Sequence, residues 1–492
     1  MGEKRREALL GVGGCLLIAA VLLFLCSQCS PLYPTNIWGD ANCLMTVGRV
    51  MRSGGVIYRD IYEQKGPTLY LIHAIAAAVS DTSFFGVFLM EILSLGAALY
   101  FAFRILRGRL CIPGSLACAA LLGAGMLVCT AFVKGDSAEE FCLPYLMGAL
   151  CLVLEQMRED GTLRPWALFA CGLAAGMVAT IKYSVLGLFV GLCAAEGIAA
   201  LRCGGLRRAF ASAGVFLAGM MTPILLWAAY FAAHGALGDF YTAYIYNNIM
   251  LYEAEGEAAA GLIEAVKDVL RYARDNALWV IPAALGAAHY VLLSGETGWR
   301  RLSVLLMGLC SLTAVCFLGR FWVYCPLALS VFAVLGLRAL LEGFAAFMNA
   351  RGLLWYRRVF PPAAMAAAVL AAALLSPNAF LRGESLENMA QGRLAKFIHP
   401  GATLLQYGHL DDGLYLAADR LPQLKYFVRL NVGLDEMHEE LERYVAEGIP
   451  DYVLVTWKEL PAEHDHYQLI ATDAGYDESN RINKMFYLYR RR

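Results

Sequence analysis

Long apolar segments recur along most of this chain and restrict what it can fold into. A helix needs about 20 apolar residues to cross a bilayer. Segments near this length lie at 8–29, 82–104, 111–132, 141–157, 166–181, 184–201, 209–233, 277–294, 302–318, 324–343 and 360–377. The chain is 59% hydrophobic and 16% charged, with a mean hydropathy of +0.55. The sequence therefore predicts an α-helical polytopic membrane protein with about eleven spans.

The positions of Lys and Arg predict how the spans are oriented. Basic clusters occupy every second gap, at 4–6, 104–109, 158–164, 202–208, 300–301 and 351–358. By the positive-inside rule these gaps and the N-terminus are cytoplasmic, in the plasma membrane. This alternation requires the segment at 68–79, which is too short for a span, to lie at the interface. The residues after Pro377 are then extracytoplasmic.

The composition changes to that of a water-soluble domain after residue 380. Segments "ATLLQYG", "LKYFV", "DYVLVTW" and "KMFYLYR" predict strands, and "DDGLYLAADRL" and "GLDEMHEELERYVAEG" predict helices. We expect a membrane module at 1–380 and a small extracytoplasmic α/β domain at 381–492. All 15 cysteines precede residue 326, and their spacing indicates neither a zinc site nor a disulfide framework.

The first outer loop, 30–81, has a dense mixture of charges. Asp40 precedes a segment with the apolar periodicity of a helix lying in the membrane plane, with Arg49 and Arg52 on its polar face. Asp40 could simply cap that helix. The stretch "YRDIYEQKGP" then adds three candidates just before an apolar run: Arg59, Asp60 and Lys65.

Three further outer segments carry charge at or near the membrane. In "GDSAEEF", Asp136, Glu139 and Glu140 begin a span; the helix dipole favours acids there, but three in five residues exceed that need. Lys182 interrupts an apolar stretch, where a lone cation costs at least about 2–3 kcal/mol unless it snorkels or finds a partner. Arg320 occupies a tight turn between spans. Charges gathered on one face suit chemistry on a lipid phosphate at headgroup level better than transport through the midplane.

The order of these features resembles the GT-C class of membrane glycosyltransferases, in particular the branch with protein O-mannosyltransferases, lipid A aminoarabinose transferases and bacterial cell-envelope enzymes. The resemblance covers roughly residues 8–345. Its elements are the acid in "WGDANCLMTVGRVM", the "YEQKGP" that closes the first loop, the acids of "GDSAEEF", Lys182 and the Asn-rich "FYTAYIYNNIMLYE". The chain departs from the family pattern by inserting Gln64 and Gly66, and by placing Val323 where many relatives have His.

The resemblance implies an inverting hexosyl- or pentosyltransferase that uses a polyprenyl-phosphate sugar and a cell-envelope acceptor on the outer face. It implies Asp40 as general base and Glu140 as second acid, with Asp136 and Glu139 as competitors. The implied phosphate-binding cations are Lys65, Lys182, Arg320 and Arg59; the implied substrate-binding residues are Asp60, Tyr58, Asn247, Asn248 and Tyr324. No cofactor is required, although a divalent metal stays open as an alternative.

Two other functions fit the same features. A transporter or flippase of lipid-linked glycans would also combine many spans with outer-face charge. A non-catalytic partner in envelope assembly would use the C-terminal domain as its binding surface. The net charge of −1 gives no support to nucleic-acid binding.

Overall fold

The computed structural model describes residues 2–108, 110–251, 262–316, 322–461, 464–477 and 482–492. These residues are mostly helical, as the sequence predicts. The helices are α1 (Gly2–Cys26), α2 (Gly39–Arg52), α3 (Pro67–Val79), α4 (Phe85–Arg107), α5 (Ile112–Leu127), α6 (Ala138–Gln156), α7 (Pro165–Ala179), α8 (Gly187–Ala233), α9 (Leu237–Phe240), α10 (Asn247–Met250), α11 (Leu262–Asp275), α12 (Ala277–Leu292), α13 (Gly298–Cys316), α14 (Ala333–Ala350), α15 (Tyr356–Leu375), α16 (Ala390–Ala395), α17 (Leu414–Ala417) and α18 (Asp435–Ala446).

In the described residues, helical structure occurs in each of the predicted apolar segments, as expected for a membrane protein. Within the described ranges, 6 helices are long and apolar enough to cross a membrane: Arg5–Cys26, Phe85–Arg107, Gly187–Ala233, Gly298–Cys316, Cys325–Ala350 and Tyr356–Leu375. The last but one begins with the 3₁₀ helix Cys325–Phe332. Shorter apolar helices are α3, α5, α7 and α12. Helix α8 leaves helical geometry at Gly204 and Gly205, within the predicted basic gap at 202–208.

The chain divides into two compact units. The first unit comprises Met1–Ser27, Met90–Trp227 and Ala258–Phe380, and the second comprises Gln28–Leu89, Ala228–Glu257 and Leu381–Arg492. The first unit packs its helices through small residues. A Cβ on Gly286 of α12 would lie 2.0 Å from the backbone nitrogen of Gly336 in α14. Such close backbone approach is typical of helices that pack in membranes.

The second unit combines two internal segments with the C-terminal residues. Its sheet has the order β1-β2-β4-β3, with β1 (Leu404–Gln406), β2 (Tyr452–Thr456), β3 (Tyr467–Asp477) and β4 (Ile482–Arg491). Strands β1 and β2 pair in parallel, whereas β2–β4 and β3–β4 are antiparallel. Three of the four predicted strands are present. The prediction for "LKYFV" was wrong because these residues form an irregular buried segment, whose Lys425 carbonyl accepts from the Tyr62 amide.

Candidate functional site

In the second unit, one lysine lies between two carboxylates. Lys65 Nζ is 3.2 Å from Asp40 Oδ1 and 3.2 Å from Glu63 Oε1. The side chains of Glu63 and Lys65 are 1% and 18% exposed. Asp40 lies in the first turn of α2, whose N-cap is Trp38, so Asp40 is not the capping residue. This arrangement joins two predicted site residues and adds Glu63, which sequence reasoning did not assign to the site.

The backbone around Lys65 is fixed by hydrogen bonds. The Lys65 amide donates to Glu63 Oε2 at 3.0 Å and to the Tyr70 hydroxyl at 2.9 Å. The Tyr58 hydroxyl donates to the Lys65 carbonyl at 2.6 Å, and its buried ring packs against Phe231, 5.5 Å away between centroids. Burial disfavours the charged form of Lys65, but the charges of Asp40 and Glu63 outweigh it and hold the pKa of Lys65 above its ordinary value.

The two predicted asparagines also support this segment. Asn248 Nδ2 donates to the Gln64 carbonyl at 2.7 Å, and Asn247 Nδ2 donates to the Tyr62 hydroxyl at 3.0 Å. Both asparagines are buried. They therefore hold the residues on the N-terminal side of Lys65.

Arg59 and Asp60 are paired with each other. Arg59 Nε lies 2.7 Å from Asp60 Oδ1, and Arg59 also donates to the His234 carbonyl at 2.9 Å. Both side chains are exposed. The hydrogen bond from Arg59 lowers the pKa of Asp60. This surface pair is separate in its contacts from the buried group formed by Asp40, Glu63 and Lys65.

Helix α2, which carries Asp40, is anchored to the C-terminal part of the same unit. Thr46 donates to the buried carboxylate of Asp411 at 2.7 Å, and the Asp411 amide lies 3.3 Å from Cys43 Sγ. Arg49, expected on a polar helix face, is buried and lies 2.6 Å from Asp419 Oδ1. The C-terminal residues thus fix the helix that positions Asp40.

In the first unit, Lys182 lies in the break between α7 and α8 and pairs with an acid. Its Nζ is 2.5 Å from Glu139 Oε1, and the Glu139 side chain is fully buried. The same ammonium lies 4.9 Å from the centroid of the Tyr324 ring and 3.7 Å from Cys325 Sγ. Lys182 therefore has the partner that a cation in apolar sequence requires.

The other two acids of "GDSAEEF" contact a residue that the sequence analysis missed. Glu91, a buried residue of α4, accepts from the Asp136 amide at 2.9 Å, and Glu140 accepts from the same amide at 3.1 Å. Ser137 caps α6 by accepting from the Glu140 amide. The signal for Glu91 was available: it is the one acid within the predicted span at 82–104, and ionisable residues in such segments are usually functional.

Arg320 lies outside the described residues. In the ranges that are described, no group of three His, Cys, Asp or Glu side chains is arranged to hold a metal ion. The first unit contains an apolar cavity of about 430 Å³, formed by α11, α12, α13 and the start of Cys325–Phe332. Cys316 and Leu329 line this cavity and pack in one cluster with Cys325 and Tyr324. Because both of the latter contact Lys182, the cavity lies close to that ammonium.

Comparison with solved structures identifies the fold. ArnT from Cupriavidus metallidurans in the apo state matches with a TM-score of 0.59 and 13% identity, covering 95% of each chain. ArnT bound to undecaprenyl phosphate gives a TM-score of 0.60 and 13% identity, covering 98% of this chain and 97% of ArnT. The chain has the GT-C fold.

A third GT-C structure is more distant. The oligosaccharyltransferase of Archaeoglobus fulgidus, in complex with Zn and sulfate, has a TM-score of 0.49 and 15% identity, covering 90% of this chain and 67% of that one. No family model and no curated protein sequence matches the chain.

Proposed function

We propose that this protein is a membrane glycosyltransferase. It transfers a hexose or pentose from a polyprenyl-phosphate donor to a hydroxyl of a cell-envelope glycan, glycolipid or protein, with inversion at the anomeric carbon. The observation that carries this proposal is the ion-paired, largely buried Asp40 beside Lys65 and Glu63. The GT-C fold, shared with an ArnT that has been crystallised with undecaprenyl phosphate, supports the same reaction class.

Asp40 is the general base of the proposed reaction. As the acceptor oxygen attacks, its proton passes to the Asp40 carboxylate, the bond from the anomeric carbon to the phosphate oxygen breaks, and the phosphate leaves with the bonding electrons. The sugar becomes oxocarbenium-like in this step, so the negative charges of Asp40 and Glu63 stabilise it. Tyr58, Asn247 and Asn248 act through the Lys65 segment that they hold.

Cations must bind the phosphate as its charge develops. Lys182, Lys65, Arg320 and Arg59 are the candidates, and the apolar cavity next to Lys182 supports it as the first of these. A polyprenyl chain would occupy the cavity while its phosphate exchanges with Glu139 on the ammonium. Tyr324 flanks that position, and Asp60 contributes at the surface through Arg59.

We further propose the topology that the basic gaps predict, with a cytoplasmic N-terminus, a membrane module at 1–380 and an extracytoplasmic domain at 381–492. Transfer in this scheme requires no metal. Activity that is unchanged by a chelator and by added Mg²⁺ would support this part, and restoration of a chelated enzyme by Mg²⁺ would contradict it.

The direct test uses purified protein in nanodiscs with a panel of undecaprenyl-phosphate hexoses and pentoses and a cell-envelope extract. Production of free undecaprenyl phosphate and of a new glycosidic product is measured by mass spectrometry. Asp40→Asn should lower the rate at least 100-fold, in line with loss of a general base. Asp81→Asn, which alters an exposed ion pair with Arg52 in the same unit, should leave the rate unchanged.

Two results would contradict the proposal. Full turnover by Asp40→Asn would remove Asp40 from the mechanism. Movement of the donor between leaflets with no new glycosidic bond would identify a flippase instead.

The phosphate role of Lys182 is tested by binding of undecaprenyl phosphate alone. Glu139→Gln removes the competing carboxylate and should tighten binding, whereas the double variant Lys182→Met/Glu139→Gln should weaken it at least tenfold. Arg208→Met, which changes a distant partly exposed pair with Asp160, is the control. Equal affinities for the single and double variants would exclude Lys182 from phosphate binding.

A further inference from the structure

Glu91 is a buried acid that accepts hydrogen bonds from Ser27 and from the turn at 133–137. It lies on apolar helix α4, and Ser27 Oγ is 2.9 Å from its Oε1 and 2.8 Å from its Oε2. A hydroxyl carries one proton, so it satisfies one of these oxygens at a time. The turn at 133–137 supplies the next donor, the Asp136 amide.

That amide brings two carboxyl groups together. Its nitrogen lies 2.9 Å from Glu91 Oε1 and 3.1 Å from Glu140 Oε2, and one N–H must be divided between them. Glu140 is 1% exposed, and its Oε1 is buried without a hydrogen-bond partner in the described part of the chain. Asp136 has φ +68° and Gly135 has φ +88°, so the turn has a backbone conformation that a non-glycine residue adopts only when its surroundings hold it.

The local charges do not balance if both acids are ionised. The titratable groups that face Glu91 are Asp136 and Glu140, both acidic, and Ser27 contributes only a hydroxyl. Lys182 is paired with Glu139, so Lys134 of the 133–137 turn is one positive charge against the three acids Glu91, Asp136 and Glu140. Two buried carboxylates that accept from the same N–H lie close enough for both to ionise only at a large energetic cost, and such pairs retain a proton.

We propose that Glu91 and Glu140 share one proton and hold the 133–137 turn as a carboxyl–carboxylate pair. Glu91 is then a positioning residue for the acids that follow the turn. For the proposed transferase, the pair explains how Glu140 can assist without acting as a second base, because its proton is already shared. The shared proton itself does not depend on the proposed function.

Infrared difference spectroscopy of the full-length protein in nanodiscs at pH 8 tests the shared proton. The wild type should show a protonated-carboxyl C=O band that shifts in D₂O. Glu91→Gln and Glu140→Gln should each remove this band or shift its frequency, because each substitution removes one of the two groups between which the proton is shared. Glu155→Gln, at a partly exposed pair with Arg104, should retain it.

Each alternative outcome is informative. Absence of the band in wild-type protein would overturn the proposal. A band that keeps its wild-type frequency and intensity in one of the two Gln variants would assign the proton to a single residue and would also overturn the proposal. Loss of the wild-type band on addition of Mg²⁺ would show that the acids bind a cation instead.

The transfer activities of Glu91 variants distinguish a positioning role of Glu91 from a catalytic one. Glu91→Gln keeps an oxygen for the Asp136 amide and should retain transfer within about threefold, whereas Glu91→Ala should lose at least tenfold. Failure of Gln to rescue relative to Ala would contradict a positioning role. If the donor is not consumed by any variant or by wild type, the proposed function fails while the spectroscopic result still decides the shared proton.

Discussion

The buried carboxyl of Asp411 should make the second unit less stable at neutral pH than in mild acid. Burial raises the pKa of Asp411 from 3.8 to about 6, and the neighbouring Asp412 charge adds to this, while hydrogen bonds from Thr46, Gly413 and Gln406 oppose it. The folded state therefore binds the Asp411 proton more tightly than the unfolded state.

The difference between the folded and unfolded pKa of Asp411 determines the sign and the size of the change in unfolding free energy with pH. Stability from the neutral carboxyl is fully present below pH 3.8 and is lost as the pH rises through about 6. Each pKa unit corresponds to about 1.4 kcal/mol, so the full loss by pH 7 is about 3 kcal/mol, and about half of it falls between pH 5 and pH 7. Asp411→Asn removes this titration, and its pH profile of unfolding free energy should lack the decline near pH 6.

The protein is unfolded with urea in nanodiscs at several pH values between pH 5 and pH 8. Pulse proteolysis measures the unfolded fraction at each urea concentration, through the fragments released from residues 381–492. Asp451→Asn is the matched control, because the Thr403 amide lowers the pKa of Asp451 and its contribution is lost in acid instead. Parallel pH profiles for wild type and Asp411→Asn would refute the reasoning.

Two further predictions concern the first unit. Lys182→Met should destabilise it by about 3–5 kcal/mol because Glu139 is left buried and unpaired, and the double variant with Glu139→Gln should recover most of this in the same unfolding assay. Gly135→Ala should cost about 2 kcal/mol or more, since its φ is +88° and a Cβ would lie 2.5 Å from Ser27 Oγ and 2.6 Å from Glu91 Oε1. Stability equal to wild type would contradict either prediction.

The helical part of the fold could be predicted because hydrophobic length is a strong signal. The strand assignments were weaker. "LKYFV" has the composition of a strand, but its residues are buried as an irregular segment that accepts from Tyr62 in the first outer loop. Strand β3, Tyr467–Asp477, was missed because it mixes charged and small residues and is stabilised by its long antiparallel pairing with β4.

The candidate site residues could be predicted where a charge interrupts an apolar sequence. Their ion-pair and hydrogen-bond partners could not, because those partners come from distant parts of the chain. Periodicity placed Arg49 on a polar helix face, but it does not indicate whether that face contacts water or another part of the protein. The C-terminal residue Asp419 occupies that side of α2. Likewise, the sequence put Asp136, Glu139 and Glu140 in one group. In the structure Glu139 pairs with Lys182, whereas Glu140 accepts from the Asp136 amide together with Glu91.

The group of Asp40, Glu63 and Lys65 carries one more negative than positive charge, which gives Lys65 a role beyond any phosphate contact. Without its ammonium, the two carboxylates would lie together in a largely buried place without the positive charge of Lys65 to offset their repulsion. Asp40 would then leave the position from which it accepts the proton. Lys65→Met should therefore lower the transfer rate at least tenfold even at saturating donor, because excess donor replaces a lost phosphate contact but does not reposition Asp40. Initial rates over a range of donor concentrations measure this, and a wild-type rate of Lys65→Met at saturating donor would show that Lys65 acts by contact with the donor alone.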